Sequence, residues 1–280
     1  GGEDDSLSIE HDRAENIWQV TAVDGGSVDG LDYATIENLK GGSGVDRFNI
    51  TASVVGTILG RDGNDEFNVN TAGLDLEVQG GDGSNTLSLN YTAASSWELD
   101  GDRELISATD SEIGFESFDV LNGSQGGDTF TLTTVDYNGV INGRGGEDTF
   151  NLSTNVTGGV NGGDANDIFT FFVAGLTTAV DGEEGAGDTL VAANAENSWL
   201  IDGTNAGTVT NSAAVSFSNI ENITGGTGED SFSFASAGSG VDGLIDGSSQ
   251  PDGGKDTLNA KALGGGLVFT MGSDAPAGIS

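Results

Sequence analysis

The chain has 280 residues, 45 of them acidic against 8 lysines and arginines, for a formal net charge of -37. That excess repels nucleic acid and anionic membranes, and no apolar run approaches the ~20 residues of a membrane-spanning helix. With no cysteine there is no disulfide staple and no thiolate metal site, and only 2 prolines stand among 48 glycines, so strand ladders are scarcely interrupted.

At the N-terminus, Gly1-Gly2-Glu3-Asp4-Asp5 lacks the basic and apolar stretches of a signal peptide. Both ends read as cuts through a longer repetitive chain. His11, the one histidine, has no recurring partner and reads as a surface or cap residue. A first block then holds Trp18 with Val20 two residues on, followed by Tyr33-x-x-Ile36-Glu37-x-Leu39. Next comes Gly41-Gly42-Ser43-Gly44-Val45-Asp46-Arg47-Phe48, the first of nine glycine-rich turns that end in an acid and an apolar residue.

The turns start at Gly41, Gly60, Gly80, Gly123, Gly143, Gly162, Gly182, Gly225 and Gly247, separated by 19, 20, 43, 20, 19, 20, 43 and 22 residues. A period near 20 marks a solenoid, whose repeats bury their apolar sides only against their neighbours. Two residues before the turns stand Leu39, Ile58, Val78, Leu121, Ile141, Val160, Val180, Ile223 and Ile245. After them come alternating pairs such as Phe48/Ile50, Phe67/Val69, Leu87/Leu89, Phe130/Leu132, Phe150/Leu152 and Phe169/Phe171. Alternation of this kind is a strand with one face inside. A coil this short has no room for a crossover helix besides its strands. The expectation is an all-β parallel β-helix (β-solenoid) with ~20-residue coils and Gly-Asp turns on one edge, about fourteen coils and ~65 Å long at ~4.8 Å per coil.

The 43-residue gaps each hold a second Trp block. Trp97-x-Leu99 precedes Phe115-x-x-Phe118-Asp119-x-Leu121, and Trp199-x-Ile201 precedes Phe217-x-x-Ile220-Glu221-x-Ile223. The blocks lie near residues 15–40, 95–122 and 196–224 of a single solenoid spanning 1–280. Their tryptophans read as core or lid residues, with a sugar-stacking platform as the other reading.

The pattern Gly-Gly-x-Gly-x-Asp-x-apolar-x resembles the nonapeptide of RTX proteins, the calcium-binding β-roll family; residues 41–49 and 225–233 match it fully. That resemblance implies Ca²⁺ held between successive turns by carboxylates and backbone carbonyls, an oxygen set suited to a hard cation. Its ligands would be Asp46, Asp65, Asp128, Asp148, Asp167 and Asp230, with Asp188 and Asp256 in irregular copies. Departures from the family are plain: the coil is longer than the roll's, Asn85 replaces an acid and Ala165 a glycine. A second reading stays open, in which glycine supplies positive φ and the acid bonds its own turn backbone without an ion.

The wider run, Trp-x-aliphatic and then aromatic-x-x-Ile-Glu-Asn-Leu-x-Gly-Gly-x-Gly-x-Asp-x-Phe, resembles repeats of very large secreted surface proteins of Gram-negative bacteria, labelled calcium-binding, haemagglutinin-like or adhesin-like. The resemblance implies a secreted or cell-surface stalk or fibre segment that associates with itself, with other modules of the same protein, or with cell-surface or polysaccharide ligands. No enzyme is expected, because no nucleophile-base set and no phosphate loop stands out. Arg47, Arg61 and Arg144 fall inside turns and read as partners of neighbouring acids. The different-class alternative is a carbohydrate-binding or carbohydrate-active β-helix of lyase or epimerase type.

Overall fold

The structure, a computed structural model, describes residues 5–9, 13–101, 104–250 and 254–264. His11 lies outside the described residues. The chain divides into two compact units, Gly1–Gly146 and Glu147–Ser280, each described by itself. Both are all-β and built from short, mostly parallel strands in two sheets, as the 20-residue period requires.

In the first unit, sheet A runs in the order Ser6–Ser8, Asn38–Lys40, Thr57–Asp62, Leu76–Asp82, Ser111–Glu116, Glu104–Ala108, Ser96–Leu99, Thr129–Leu132. Sheet B runs Leu31–Ala34, Gly25–Val28, Glu15–Ala22, Val45–Ile50, Glu66–Val69, Thr86–Leu89, Val120–Asn122, Val140–Gly145. The chain alternates between them, so neighbours within a sheet are about one coil apart in sequence. Register keeps like side chains in rows: Leu39, Ile58, Val78 and Phe115 face inward from sheet A, and Trp18, Phe48, Phe67, Leu87, Leu121 and Ile141 from sheet B. The rings stack along the row, with centroids 5.3 Å apart for Trp18 and Phe48 and 4.7 Å for Phe48 and Phe67. Burial of each such ring stabilises by ~1.5–3 kcal/mol, with ~0.5–1.5 kcal/mol more from each aromatic pair.

The second unit repeats the plan. Sheet C holds Thr149–Leu152, Ile168–Phe171, Thr189–Val191, Asn222–Thr224 and Ile245–Asp246; sheet D holds Val160–Asp164, Val180–Glu184, Ala214–Ser218, Gly207–Thr210, Ser198–Ile201, Ser231–Phe234 and Thr257–Asn259. Phe150 stacks on Phe169 at 4.9 Å and Trp199 on Phe232 at 5.7 Å.

The Trp blocks are three-stranded antiparallel meanders lying within one sheet. Ser96–Leu99 pairs antiparallel with Glu104–Ala108, and that strand with Ser111–Glu116; the outer two pair parallel with the coils on either side. Trp199 heads the same arrangement in sheet D. Trp18, Trp97 and Trp199 are at most 1% exposed, so they are core residues and not sugar platforms.

The meanders also correct the expectation that all turns share one edge. Coil strands of a sheet run parallel, so every link from A to B lies at one edge and every link from B to A at the other. The turns at Gly41, Gly60 and Gly80 lead from sheet A to sheet B, but the turn at Gly123 leads from Leu121 in B to Phe130 in A. The meander leaves its sheet through residues 117–119 alone, with no Gly-Asp turn, so the next turn falls half a coil later. In the second unit the turns at Gly162 and Gly182 lead from D to C, and those at Gly225 and Gly247 from C to D.

Candidate functional site

Each turn brings its acid to the edge of the core, where a backbone N–H from the adjacent coil lacks a sheet partner. A buried N–H must find an acceptor, and the acid one coil on supplies it. In the first unit, Asp46 N–H donates to Asp65 Oδ1 at 2.8 Å, Asp65 N–H to Asn85 Oδ1 at 2.9 Å, and Asn85 N–H to Asp119 Oδ2 at 2.8 Å. Ser95 N–H donates to Asp128 Oδ1 at 2.6 Å. In the second, Asp148 N–H donates to Asp167 at 2.8 Å, Asp167 N–H to Asp188 at 2.7 Å, and Asp188 N–H to Glu221 Oε2 at 2.9 Å. A further column joins Asn197 N–H to Asp230 and Asp230 N–H to Asp256, both at 2.9 Å.

The eight expected ligand positions thus fall into stacks: Asp46 with Asp65, Asp148 with Asp167 and Asp188, Asp230 with Asp256, and Asp128 beside Ser95. All except Asp256 are at most 1% exposed. Sequence reasoning missed the column ends. Asn16 Nδ2 and Trp18 Nε1 donate to Asp46 Oδ1 at 2.9 and 2.8 Å, and Asn197 Nδ2 to Asp230 Oδ1 at 2.8 Å. At the other end stand Asp119 and Glu221, while Glu37 accepts the Asp5 N–H at 2.9 Å. Both had a signal: a polar residue two before each Trp, and an acid after each aromatic-x-x-apolar run.

The second carboxyl oxygen divides the turns into two kinds. Asp46 Oδ2 accepts the Gly42 N–H at 2.7 Å, and Asp128 Oδ2 the Ser124 N–H at 2.5 Å. In Asp65, Asp167, Asp188 and Asp230, Oδ2 is buried with no hydrogen-bond partner. It fills the space that a Cβ on the turn's first glycine would take, a space that a backbone carbonyl of the next coil also borders: Gly80 O for Asp65, Gly182 O for Asp167 and Asn219 O for Asp188, as Gly60 O does for Asp46 and Gly143 O for Asp128. Burial pushes Asp65 and Asp167 up to about 7 and Asp188 and Asp230 up to about 6, and it also pushes Asp128 up to about 6, although both of its oxygens are bonded. For Asp65 and Asp167 the neighbouring acids add to the rise, and the accepted N–H bond opposes it.

A carboxyl oxygen paired with a carbonyl fits a hard cation in donor chemistry. Among the described residues no group of three or more His, Cys, Asp or Glu is close enough to hold a metal ion. An ion here would therefore be held by Asp65, Asp167 or Asp188 and chiefly by turn carbonyls.

Two turns carry arginine where φ is positive: Arg61 at 78° and Arg144 at 81°. Arg47 pairs with Glu66 at 2.8 Å and with Glu15, as expected. Arg61 and Arg144 instead reach carbonyls, which corrects their reading as partners of acids. Arg61 Nη1 donates to Gly41 O at 3.3 Å and Ser8 Oγ at 3.4 Å; Arg144 Nη1 donates to Gly123 O at 3.4 Å, Leu89 O at 3.1 Å and Asn90 Oδ1 at 3.0 Å.

Fold and turns together define two-sheet parallel β-solenoid units whose coils are tied by columns of side-chain acceptors. Neither protein-family models nor curated proteins give a match to this chain.

Proposed function

We propose that the chain is an extracellular structural segment, a stalk or fibre piece of a secreted or bacterial cell-surface protein of adhesin-like type. In this reading its turns are stiffened by Ca²⁺ and its open coil ends associate with further coils. One observation carries the proposal: chemistry-bearing side chains are spent on holding one coil to the next, as the buried acid columns are. Among the described residues Leu31–Ala34 is the outermost strand of sheet B, an edge that another coil can pair with. A hollow of about 800 Å³ in the first unit is lined by Asp75, Ser95, Thr109, Asp110, Glu112 and Thr129, with no cation to handle an acidic sugar. The role is non-enzymatic in this reading, and the net charge of -37 repels nucleic acid and anionic membranes.

Electron microscopy of the purified chain with and without Ca²⁺ tests the reading. Filaments or end-to-end rods that shorten in EDTA are expected. Monodisperse monomers whose melting is indifferent to calcium would defeat both the self-assembly and the ion.

Carbohydrate binding has one observation in its favour. On the outer face of sheet B, Asn49, Asn68, Ser88, Asn122 and Asn142 form a single uncharged row, with Asn142 Nδ2 on Asn122 Oδ1 at 2.7 Å and Asn122 Nδ2 on Ser88 Oγ at 2.9 Å. Each amide in such a ladder keeps hydrogen-bonding capacity towards solvent. Retention on an insoluble neutral polysaccharide, lost on Asn68→Asp with Asn122→Asp, would establish that role instead.

A further inference from the structure

The third strands of the three meanders, Leu31–Ala34, Ser111–Glu116 and Ala214–Ser218, correspond residue by residue. Leu31, Ile113 and Val215 hold one place, and Tyr33, Phe115 and Phe217 the next place on the same face, two residues on. Their partners inside the meanders correspond as well: Leu31 pairs with Val28, Ile113 with Ile106 and Val215 with Val209, and all three partners are buried. Leu31 therefore points to the core side of its sheet, as Ile113 and Val215 do.

What differs is the cover. Ile113 and Phe115 lie opposite Leu76 and Val78 of the preceding coil in parallel register, and Phe217 lies opposite Val180. Val78 and Val180 each stand two residues before the first glycine of a turn, Gly80 or Gly182. Under this cover Ile113 and Val215 are 4% and 2% exposed. Leu31–Ala34 is the outermost strand of its sheet among the described residues, and there Leu31 is 73% exposed and Tyr33 only half-buried. A leucine aimed along the core and left in water lacks the burial that its two counterparts have.

The other half of the covering coil is in place. Ser6–Ser8 pairs with Asn38–Lys40 as Thr86–Leu89 pairs with Val120–Asn122 and Thr189–Val191 with Asn222–Thr224. The Asp5 N–H donates to Glu37 as the Asn85 N–H donates to Asp119 and the Asp188 N–H to Glu221. In both inner copies this after-turn strand and the cover strand before the turn belong to one coil, joined through Gly80 or Gly182.

We propose that Leu31–Ala34 is the seat of a parallel strand of apolar-x-apolar type, supplied by the stretch of polypeptide immediately N-terminal to Gly1, with its two apolar residues opposite Leu31 and Tyr33. The inference rests on the reading of open coil ends as places that take further coils, and it names the strand, direction and register at one of them. A whole coil from a second copy does not fit this seat, because its own after-turn strand would fall where Ser6–Ser8 already lies.

A second copy of residues 74–80 fused ahead of Gly1 in the full chain tests it, since the added Val78 then stands as far before Leu7 as the native one stands before Leu87. The melting temperature is expected to rise by several degrees, and hydrogen exchange at residues 31–34 to slow by about tenfold or more. Leu31→Asn is expected to abolish both gains in the fusion, yet to shift the melting of the parent by no more than about 2 °C, because Leu31 is exposed there. A fusion with parental melting and exchange, or a gain that survives Leu31→Asn, overturns the proposal. Electron microscopy of the same fusion then separates the two ideas: end-to-end rods leave the coil-end reading standing, and monodisperse particles sink it as well. Protection of residues 31–34 that grows with the concentration of the parent chain puts a second copy on this strand, which overturns the proposal and upholds that reading.

Discussion

Asn85 and Asp167 occupy the same place in their turns, one in each unit, and they part in what the second side-chain atom does. Both accept the N–H of the preceding coil's acid through Oδ1, at 2.9 and 2.8 Å. Asn85 then donates through Nδ2 to Gly81 O at 3.1 Å and Ser117 O at 3.3 Å. Asp167 keeps a bare Oδ2 in the space that Gly182 O also borders. The coil needs an acceptor at this position, whereas the negative charge is an added cost unless a proton or a cation cancels it. Amide and acid therefore build the same backbone and leave different chemistry.

The sharpest way to break that comparison is to remove the acceptor itself. Asp167→Ala leaves the buried Asp148 N–H without its partner, and the loss should be ~1–3 kcal/mol, read as a fall in denaturation midpoint with an unchanged slope. A change within a few tenths of a kcal/mol would mean that the column does not hold the coils. Keeping the acceptor while removing the charge should do the reverse. Asp167→Asn is expected to stabilise by ~1–2 kcal/mol in EDTA at pH 8, and Asn85→Asp to destabilise by a similar amount, with calcium narrowing both differences.

The same contrast sets a pH dependence. Acids pushed up to about 6 or 7 in the folded chain hold protons that the unfolded chain releases near 4. The folded state thus binds more protons between roughly pH 4 and pH 7, and stability falls as pH rises through that window. Melting in EDTA should be several degrees higher at pH 5 than at pH 8, with the gap reduced in Asp167→Asn and widened in Asn85→Asp. An equal melting temperature at both values would show that these carboxyls titrate normally.

The smallest effect is conformational. Ala165 sits at φ 84° two residues before Asp167, where other turns use glycine. Ala165→Gly should relieve ~1 kcal/mol of strain, seen as a rise of a few degrees in melting temperature, and should leave the Asp167 ion or proton unaltered.

Much of this protein is written in local order. The 19- and 20-residue spacings, the inward rows of Leu39, Ile58 and Val78, and the alternation at Phe48/Ile50 and Phe67/Val69 determine stacked parallel coils, because only stacking buries those side chains, while their arrangement in two sheets is seen only in the fold. The turn acids were legible as a set for the same reason. Where they point was not legible, since an acid at a turn tip has equal local reasons to face an ion, its own backbone or water. Only the stacked structure places an orphan N–H from the coil before at 2.7–2.8 Å from Asp65, Asp167 and Asp188. The edge on which a turn falls was also hidden. It depends on a meander such as 96–116 returning three times to one sheet, and strand pairing between Ser111–Glu116 and Leu76–Asp82 is a property of the folded stack that no spacing encodes.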